Sequence, residues 1–262
     1  MHEIEFCVAH DCDQRIVSLI PSFTEDLFAI GAGKHVVAVS EYTDYPPAAR
    51  ELPVVASFAS VNAERIVALH PNAVVGIPSQ LALVHDIGRA GVPVMLLKDD
   101  SLADVYDDLR MLGLLTGHRR EAAALLARLK ARTAALTRTA RRHGRKPSVF
   151  VVLGTAPIFT VGRGSYIASL LELAGARNAA DLGAPYARYS AEALVAHQPD
   201  ALVVDPDIRF QDVVAKAPWS ALRAVREHHV FTLPNAAILE RPGPRYNDGL
   251  AWLIAALQKV PT

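Results

Sequence analysis

An α/β fold with mostly parallel sheets flanked by helices is predicted by three features of the sequence. From Arg15 onward, short β-branched runs alternate with longer helical stretches, the pattern left by parallel strands and their crossover helices. Between Leu102 and Arg145 the strand signal stops, and at Lys146-Pro147 the alternation starts again. The chain has 262 residues, so either two lobes of roughly 100 to 130 residues or one large α/β domain is expected. The composition shifts divide it into an N-terminal extension at 1–14, a lobe at 15–101, a helical linker at 102–145 and a second lobe at 146–262.

In the first lobe, strands are expected from Ile16 to Ile20, Val36 to Ser40, Ala73 to Gly76 and Val92 to Leu96. Helices are expected at about Thr24 to Ile30, Ala63 to Leu69 and Gln80 to Ala90. Gly31 and Gly33 close the first helix, Pro46-Pro47 argues against helix after the second strand, and Gly91 precedes the fourth. The linker reads as a helix from Leu102 to Leu115, ended at Gly117, and a second from Arg119 to about His143 with Leu125, Leu129 and Leu136 on one stripe. At 1.5 Å per residue the second is a rod of about 37 Å. Periodicity alone fits a bridge between lobes and a surface helix of a single domain equally well.

The second lobe gives strands from Val149 to Leu153, Ile158 to Val161, Ala201 to Val204 and Val230 to Leu233. Its helices run from Ser165 to Ala174, closed by Gly175, from Ala191 to Ala196, and from Asn247 to Gln258 with Leu250, Leu253, Ile254 and Leu257 turned inward. The halves share an echo: Asn62-Ala63-Glu64 leads into IVALHPNAVV, and Ser190-Ala191-Glu192 into LVAHQPDALVV. Each has a capping residue, a Glu two later, a short apolar helix, a Pro and a β-branched strand, so two lobes of one design are the economical reading.

Composition narrows function. Residues are 51% hydrophobic and formal net charge is zero, so the chain carries no excess positive charge for nucleic acid. The N-terminus, MHEIEFCVAHDCDQ, lacks the basic and apolar regions of a leader; either a leader has been removed or the protein stays in the cytoplasm. Cys7 and Cys12 allow a small disulfide or two free thiols. The ten histidines form no HExxH pair, and His228-His229 reads as a surface turn before a strand. There is no G-x-S-x-G elbow or Walker loop, and Gly162-Arg163-Gly164 lacks the third glycine of a dinucleotide fingerprint. No catalytic residue and no resident metal site is expected.

The segment from Arg15 to Glu25 places a strand, a Pro turn and a helix start in sequence, with Ser22 and Glu25 spaced as a capping box. A loop leaving the carboxyl end of a parallel strand also faces the crevice where α/β sheets bind ligands. This segment, RIVSLIPSFTEDLFAIGAG, is followed by VVAVSEYTDYPP, NAERIVALHPNAVV, TAPIFTVGRGSYIASLLELAGARN, the Ser190 to Val204 echo and LERPGPR. In that order they resemble the helical-backbone periplasmic binding proteins of ABC importers, the cobalamin, siderophore and haem type, and most of all the cobalamin-binding members.

The resemblance implies two lobes joined by one long backbone helix, with ligand held in the cleft between them and little closure on binding. It implies a cleft lined by Pro21, Ser22, Phe23 and Thr24, with Tyr42, Phe58, Phe159 and Tyr186 as aromatic contacts and Arg241 near the C-terminal helix. The chain departs from the cobalamin-binding pattern at Phe58, Ile77 and Tyr186, where those members carry tryptophan, and at Ala237, where they carry aspartate. Smaller rings give less stacking area. The resemblance makes cobalamin the leading ligand; the departures leave a different corrinoid, haem or a ferric siderophore as alternatives, and a cytoplasmic metallocofactor-handling protein is a rival on the same fold. For haem, Tyr42, Tyr45 or Tyr186 could supply an axial oxygen.

Glu64 and Glu192 resemble the pair of surface glutamates, one per lobe, that family members present to arginines of a membrane permease. Two distant charge pairs would fix the orientation of a monomeric clamp over its pore. A helix N-terminus also favours a Glu by a few tenths of a kcal/mol, and that capping role is the alternative.

Overall fold

Apolar residues in unbroken succession require burial on both faces of a strand, and the first strand, β1 (Ile16–Ser18), is wholly buried. The structure, a computed structural model, describes residues 14–140 and 145–261. Cys7, Cys12, nearly all of the expected N-terminal extension and the expected end of the long helix at His143 lie outside the described residues. After β1 come α1 (Pro21–Ala29), β2 (Val36–Ser40), β3 (Val54–Ala56), α2 (Ala63–Ala68), β4 (Ala73–Gly76), α3 (Leu81–Arg89), β5 (Val94–Leu96) and α4 (Leu102–Thr116). The strands form one parallel sheet in the order β3-β2-β1-β4-β5. Chain order reverses between β1 and β4, which is the switch point of such a sheet.

Val17, Leu19, Ala38, Ile66, Val74 and Ile87 make the core of this unit. Helix α4 packs on α1. It starts with a reciprocal cap, Ser101 N–H donating to Asp104 Oδ2 at 2.8 Å and Asp104 N–H to Ser101 Oγ at 3.2 Å, and stops at Gly117, whose φ of 75° suits a residue without a Cβ.

The long helix is α5 (Arg119–Ala140). Contacts divide the chain into two compact units, Met1–Leu129 and Lys130–Thr262, so the division falls inside α5. Leu125 and Leu129 of its expected stripe are buried.

The second unit continues with β6 (Ser148–Val152), β7 (Gly154–Thr155), β8 (Ile158–Val161), α6 (Tyr166–Leu173), β9 (Arg177–Asn178), β10 (Tyr186–Arg188), α7 (Ala191–His197), β11 (Ala201–Val204), α8 (Arg223–Arg226), β12 (Val230–Thr232), α9 (Ala237–Glu240) and α10 (Tyr246–Leu257). A parallel sheet, β12-β11-β6-β9, stands beside an antiparallel one, β10-β8-β7. Read from β9, the parallel order repeats β2-β1-β4-β5 of the first unit, with β7 and β8 added after β6. Phe150, Leu194, Leu202, Phe210 and Trp219 share its core. The C-terminal half of α5 is tied to α10 by the Thr133 hydroxyl, 2.6 Å from the Tyr246 hydroxyl and 3.0 Å from Asn247 Oδ1.

Two local expectations are corrected. Helix α1 begins at Pro21, with Ile20 as its N-cap and no side-chain cap, so Ser22 and Glu25 form no capping box. Pro at the first helical position has a preset φ and no N–H to satisfy, which starts the helix early. The same effect places a 3₁₀ turn at Pro47–Glu51, where the proline pair had argued against helix.

Candidate functional site

Parallel strands all end on one edge of a sheet, so the loops after β1, β2, β3 and β4 leave the first unit on the same side. That edge carries most of the exposed large apolar side chains among the described residues: Tyr42, Tyr45, Phe58 and Leu81. Tyr42 follows β2 with φ of 62° and is 76% exposed. Beside it, Glu41 N–H donates to Ala56 O at 2.8 Å, joining the ends of β2 and β3. Phe58 is 73% exposed at the tip of a tight turn. Ser57 builds that turn: its Oγ accepts from Ser60 N at 3.0 Å and from Ala59 N at 3.2 Å, and its N–H donates to Ser60 O at 2.8 Å. With both turn ends fixed by serine, the ring is held outward.

Leu81 was not anticipated as a site residue. It opens α3, next to the switch point, and is 64% exposed. The preceding 3₁₀ turn is closed by buried Gln80, whose Oε1 accepts from Ile77 N at 3.2 Å, so Ile77 is turned inward and Leu81 outward. No pattern in Pro78-Ser79-Gln80-Leu81 distinguishes that from an ordinary helix start.

The four residues expected to line the cleft after β1 behave differently. Pro21 is partly exposed, but the side chains of Ser22, Phe23 and Thr24 are buried, and Thr24 Oγ1 donates to Ser18 Oγ at 2.9 Å. The first turn of α1 packs these side chains into the unit, so of the four only Pro21 has a partly exposed side chain.

In the second unit the antiparallel sheet pairs Tyr186 with Val161 and Arg188 with Phe159. Opposed residues of an antiparallel pair share a face, so Phe159 and Tyr186 stand diagonally on one face while Ile158 enters the core on the other. Tyr186 is 39% exposed. The loop before it passes so close to Gly162 that a Cβ there would lie 2.1 Å from Ala184 O; only glycine fits.

Arg241 follows α9 and is partly exposed. Beside it, burial pushes the Glu240 carboxyl up to about 8, helped by the charge and hydrogen bond of Asp205 and by the charge of Asp207, while Arg241 pulls it down. Ala237 is buried. Glu64 and Glu192 are both exposed in the first turns of α2 and α7. Among the described residues no group of three or more His, Cys, Asp or Glu side chains could hold a metal ion.

Two α/β units of one strand order, with apolar side chains displayed on the carboxyl edge of the first, define a protein built to bind. Residues 16–237 match the family model of the periplasmic binding proteins, and the chain belongs to that family, whose members are binding components of transport and not enzymes. It is 28% identical over 252 residues to an uncharacterised ABC transporter substrate-binding lipoprotein, YvrC, of Bacillus subtilis, covering 93% of this chain and 80% of that one. Among solved structures it is similar to the periplasmic vitamin B12 binding protein BtuF of Vibrio cholerae, with a TM-score of 0.83, 28% identity and coverage of 94% and 96%. It is also similar to the periplasmic heme-binding protein RhuT of Roseiflexus sp. RS-1, with a TM-score of 0.84, 30% identity and coverage of 95% and 99%.

Proposed function

We propose that this chain is the substrate-binding component of an ABC importer, working outside the cytoplasm, and that its ligand is a corrinoid, with cobalamin as the specific candidate. The supporting observation is the exposed apolar edge of the first unit, Tyr42, Phe58 and Leu81. A flat macrocycle with apolar faces is matched by outward rings and a leucine that need not reorganise. Phe159 and Tyr186 on their common face, and Arg241 beside Glu240, are assigned to the same ligand; an arginine suits the amide or phosphate periphery of a corrin. Residues 15–101 and 146–262 serve as the lobes and 102–145 as the helical linker. Glu64 and Glu192 dock the loaded protein on its permease.

Haem is the second reading, favoured by three exposed tyrosines, Tyr42, Tyr45 and Tyr186, any of which could ligate iron. One experiment separates the two. Calorimetric titration with cobalamin should give saturable one-to-one binding at micromolar Kd or tighter. Haem binding with a Soret band and no response to cobalamin would keep the importer role and replace the cargo; binding of neither would point to a ferric siderophore.

A further inference from the structure

The second unit has a basic hollow at the opposite, amino-terminal edge of its parallel sheet. Ser148 opens β6, Arg177 opens β9, Asp200 immediately precedes β11 and His229 immediately precedes β12. Asp200 is 6% exposed. Its Oδ2 accepts from Ser148 N and Oγ, both at 2.8 Å, and Arg145 Nη2 stands 2.6 Å from each carboxylate oxygen. Arg223 pairs with Oδ1 as well. Two arginines are thus fixed in place by one carboxylate.

Two adjoining hollows of about 560 and 360 Å³ share Arg145, Asp200 and Arg223 as lining. The smaller is also lined by Arg177 and Arg226, whose guanidinium groups have no ion-pair or hydrogen-bond partner among the described residues. The larger is lined by Glu227 and His229. Arg223 Nε and His229 Nδ1 are buried with no hydrogen-bond partner, and Glu227 Oε2 stands 3.9 and 3.6 Å from them. Four arginines face two carboxylates here, an excess of two positive charges before the lining histidines, His197 and His229, are counted. Fold maintenance accounts for the Asp200 clamp. It does not account for two further unpaired arginines opening on the same space, nor for the buried Arg223 Nε donor, for which Glu227 Oε2 at 3.9 Å is too distant to accept a hydrogen bond.

We propose that this hollow binds a phosphate-bearing anion. Arg177 and Arg226 contact the phosphate oxygens, and Arg145 and Arg223, pre-oriented by Asp200, complete the cradle. Guanidinium forks suit this ligand because their paired N–H donors match phosphate oxygens two at a time. The phosphate can come from a soluble phosphate ester or from a phospholipid headgroup, and the site is separate from the residues assigned to the metal-chelate ligand.

The test uses the whole chain and an Arg177→Gln/Arg226→Gln double variant, with thermal melting as a check on folding; both side chains are exposed. Inorganic phosphate is titrated by calorimetry, and co-sedimentation is measured with vesicles of phosphatidylglycerol and of phosphatidylcholine. Saturable phosphate binding that weakens by about tenfold or more in the variant supports the site and a soluble source. Sedimentation with the phosphatidylglycerol vesicles alone, lost in the variant, supports it with a lipid source. Absence of both, or a folded variant that binds as the parent does, overturns the proposal.

Discussion

His70 and Gln198 hold the same left-handed backbone conformation, with φ of 47° and 44°, each one residue before a proline and just beyond the helix that feeds β4 or β11. The correspondence extends to the other end of each helix. Asn62 Oδ1 accepts from Arg65 N at 2.9 Å, and Ser190 Oγ accepts from Ala193 N at 3.0 Å. The echo in the sequence is therefore an echo in backbone geometry, from cap to left-handed exit, and it sets Glu64 and Glu192 at the same position of matching helices.

Residues other than glycine lose about 1–2 kcal/mol in the left-handed region, so the two positions should respond oppositely to glycine. The His70 side chain is exposed, and His70→Gly is expected to stabilise by about 0.5–1 kcal/mol. Gln198 Nε2 donates to Val195 O at 2.8 Å and Ala221 O at 3.2 Å, and its Oε1 accepts from Arg223 N at 2.8 Å. Gln198→Gly should therefore destabilise by about 1–3 kcal/mol. Urea denaturation of both variants checks the contrast, and equal shifts of one sign would show that side-chain bonds do not decide it.

If Glu64 and Glu192 dock a permease, reversing both charges should stop uptake and leave ligand affinity unchanged, because neither lies among the residues assigned to the ligand. A pure capping role predicts instead a loss of a few tenths of a kcal/mol in stability and normal uptake. Transport by a reconstituted importer, measured alongside calorimetry for the Glu64→Arg/Glu192→Arg variant, separates the two.

What was legible in the sequence is what local pattern controls. The apolar runs marked β2, β4 and β11 at their observed bounds, since burial on both faces leaves little ambiguity about which residues belong, and β8 was placed at its observed bounds as well. Strands β3, β7, β9 and β10 span two or three residues, too few for any period, and exist through pairing with distant partners. The turn that lifts Phe58 outward depends on two serines meeting across it. Position after β1 located the turn into α1 but not the direction of the side chains of Ser22, Phe23 and Thr24, which packing against the rest of the unit decides. Arg145, Arg177, Arg223 and Arg226 are scattered along the chain and meet only because parallel strands bring their amino ends together.

Stability should fall as pH rises through neutrality. Asp108 is buried on α4, and burial, followed by the charges of Asp104, Asp99 and Asp107, pushes its carboxyl up to about 8. Asp26 on α1 is raised in the same way, by burial and then by Asp108 and Glu25, and neither of its oxygens has a hydrogen-bond partner. Burial and the Asp100 charge take Asp99 to about 6. The folded chain keeps protons that the unfolded chain has already released, so this stability is complete below the ordinary carboxylate range and is lost as pH rises toward about 8. Asp108→Asn removes one such group: its Tm should exceed the parent's at about pH 8 and vary less between about pH 6 and 8. Parallel melting curves over that window would show no difference if the Asp108 carboxyl is ionised throughout.

The ligand assignment is most exposed at Tyr42 and Phe58. Both rings project from the unit, at 76% and 73% exposure, so truncation removes no core contact and should leave Tm within the small range of surface substitutions. As ligand contacts the same rings would each lose stacking area on binding, and Tyr42→Ala with Phe58→Ala should weaken cobalamin binding by about 2 kcal/mol or more, close to thirtyfold. Leu81→Ala should cost less, because an aliphatic side chain offers contact area without ring stacking. Calorimetry on the two variants orders these effects. A folded double variant that binds cobalamin as the parent does would remove the carboxyl edge of the first sheet from the site and leave Phe159, Tyr186 and Arg241 to be tested next.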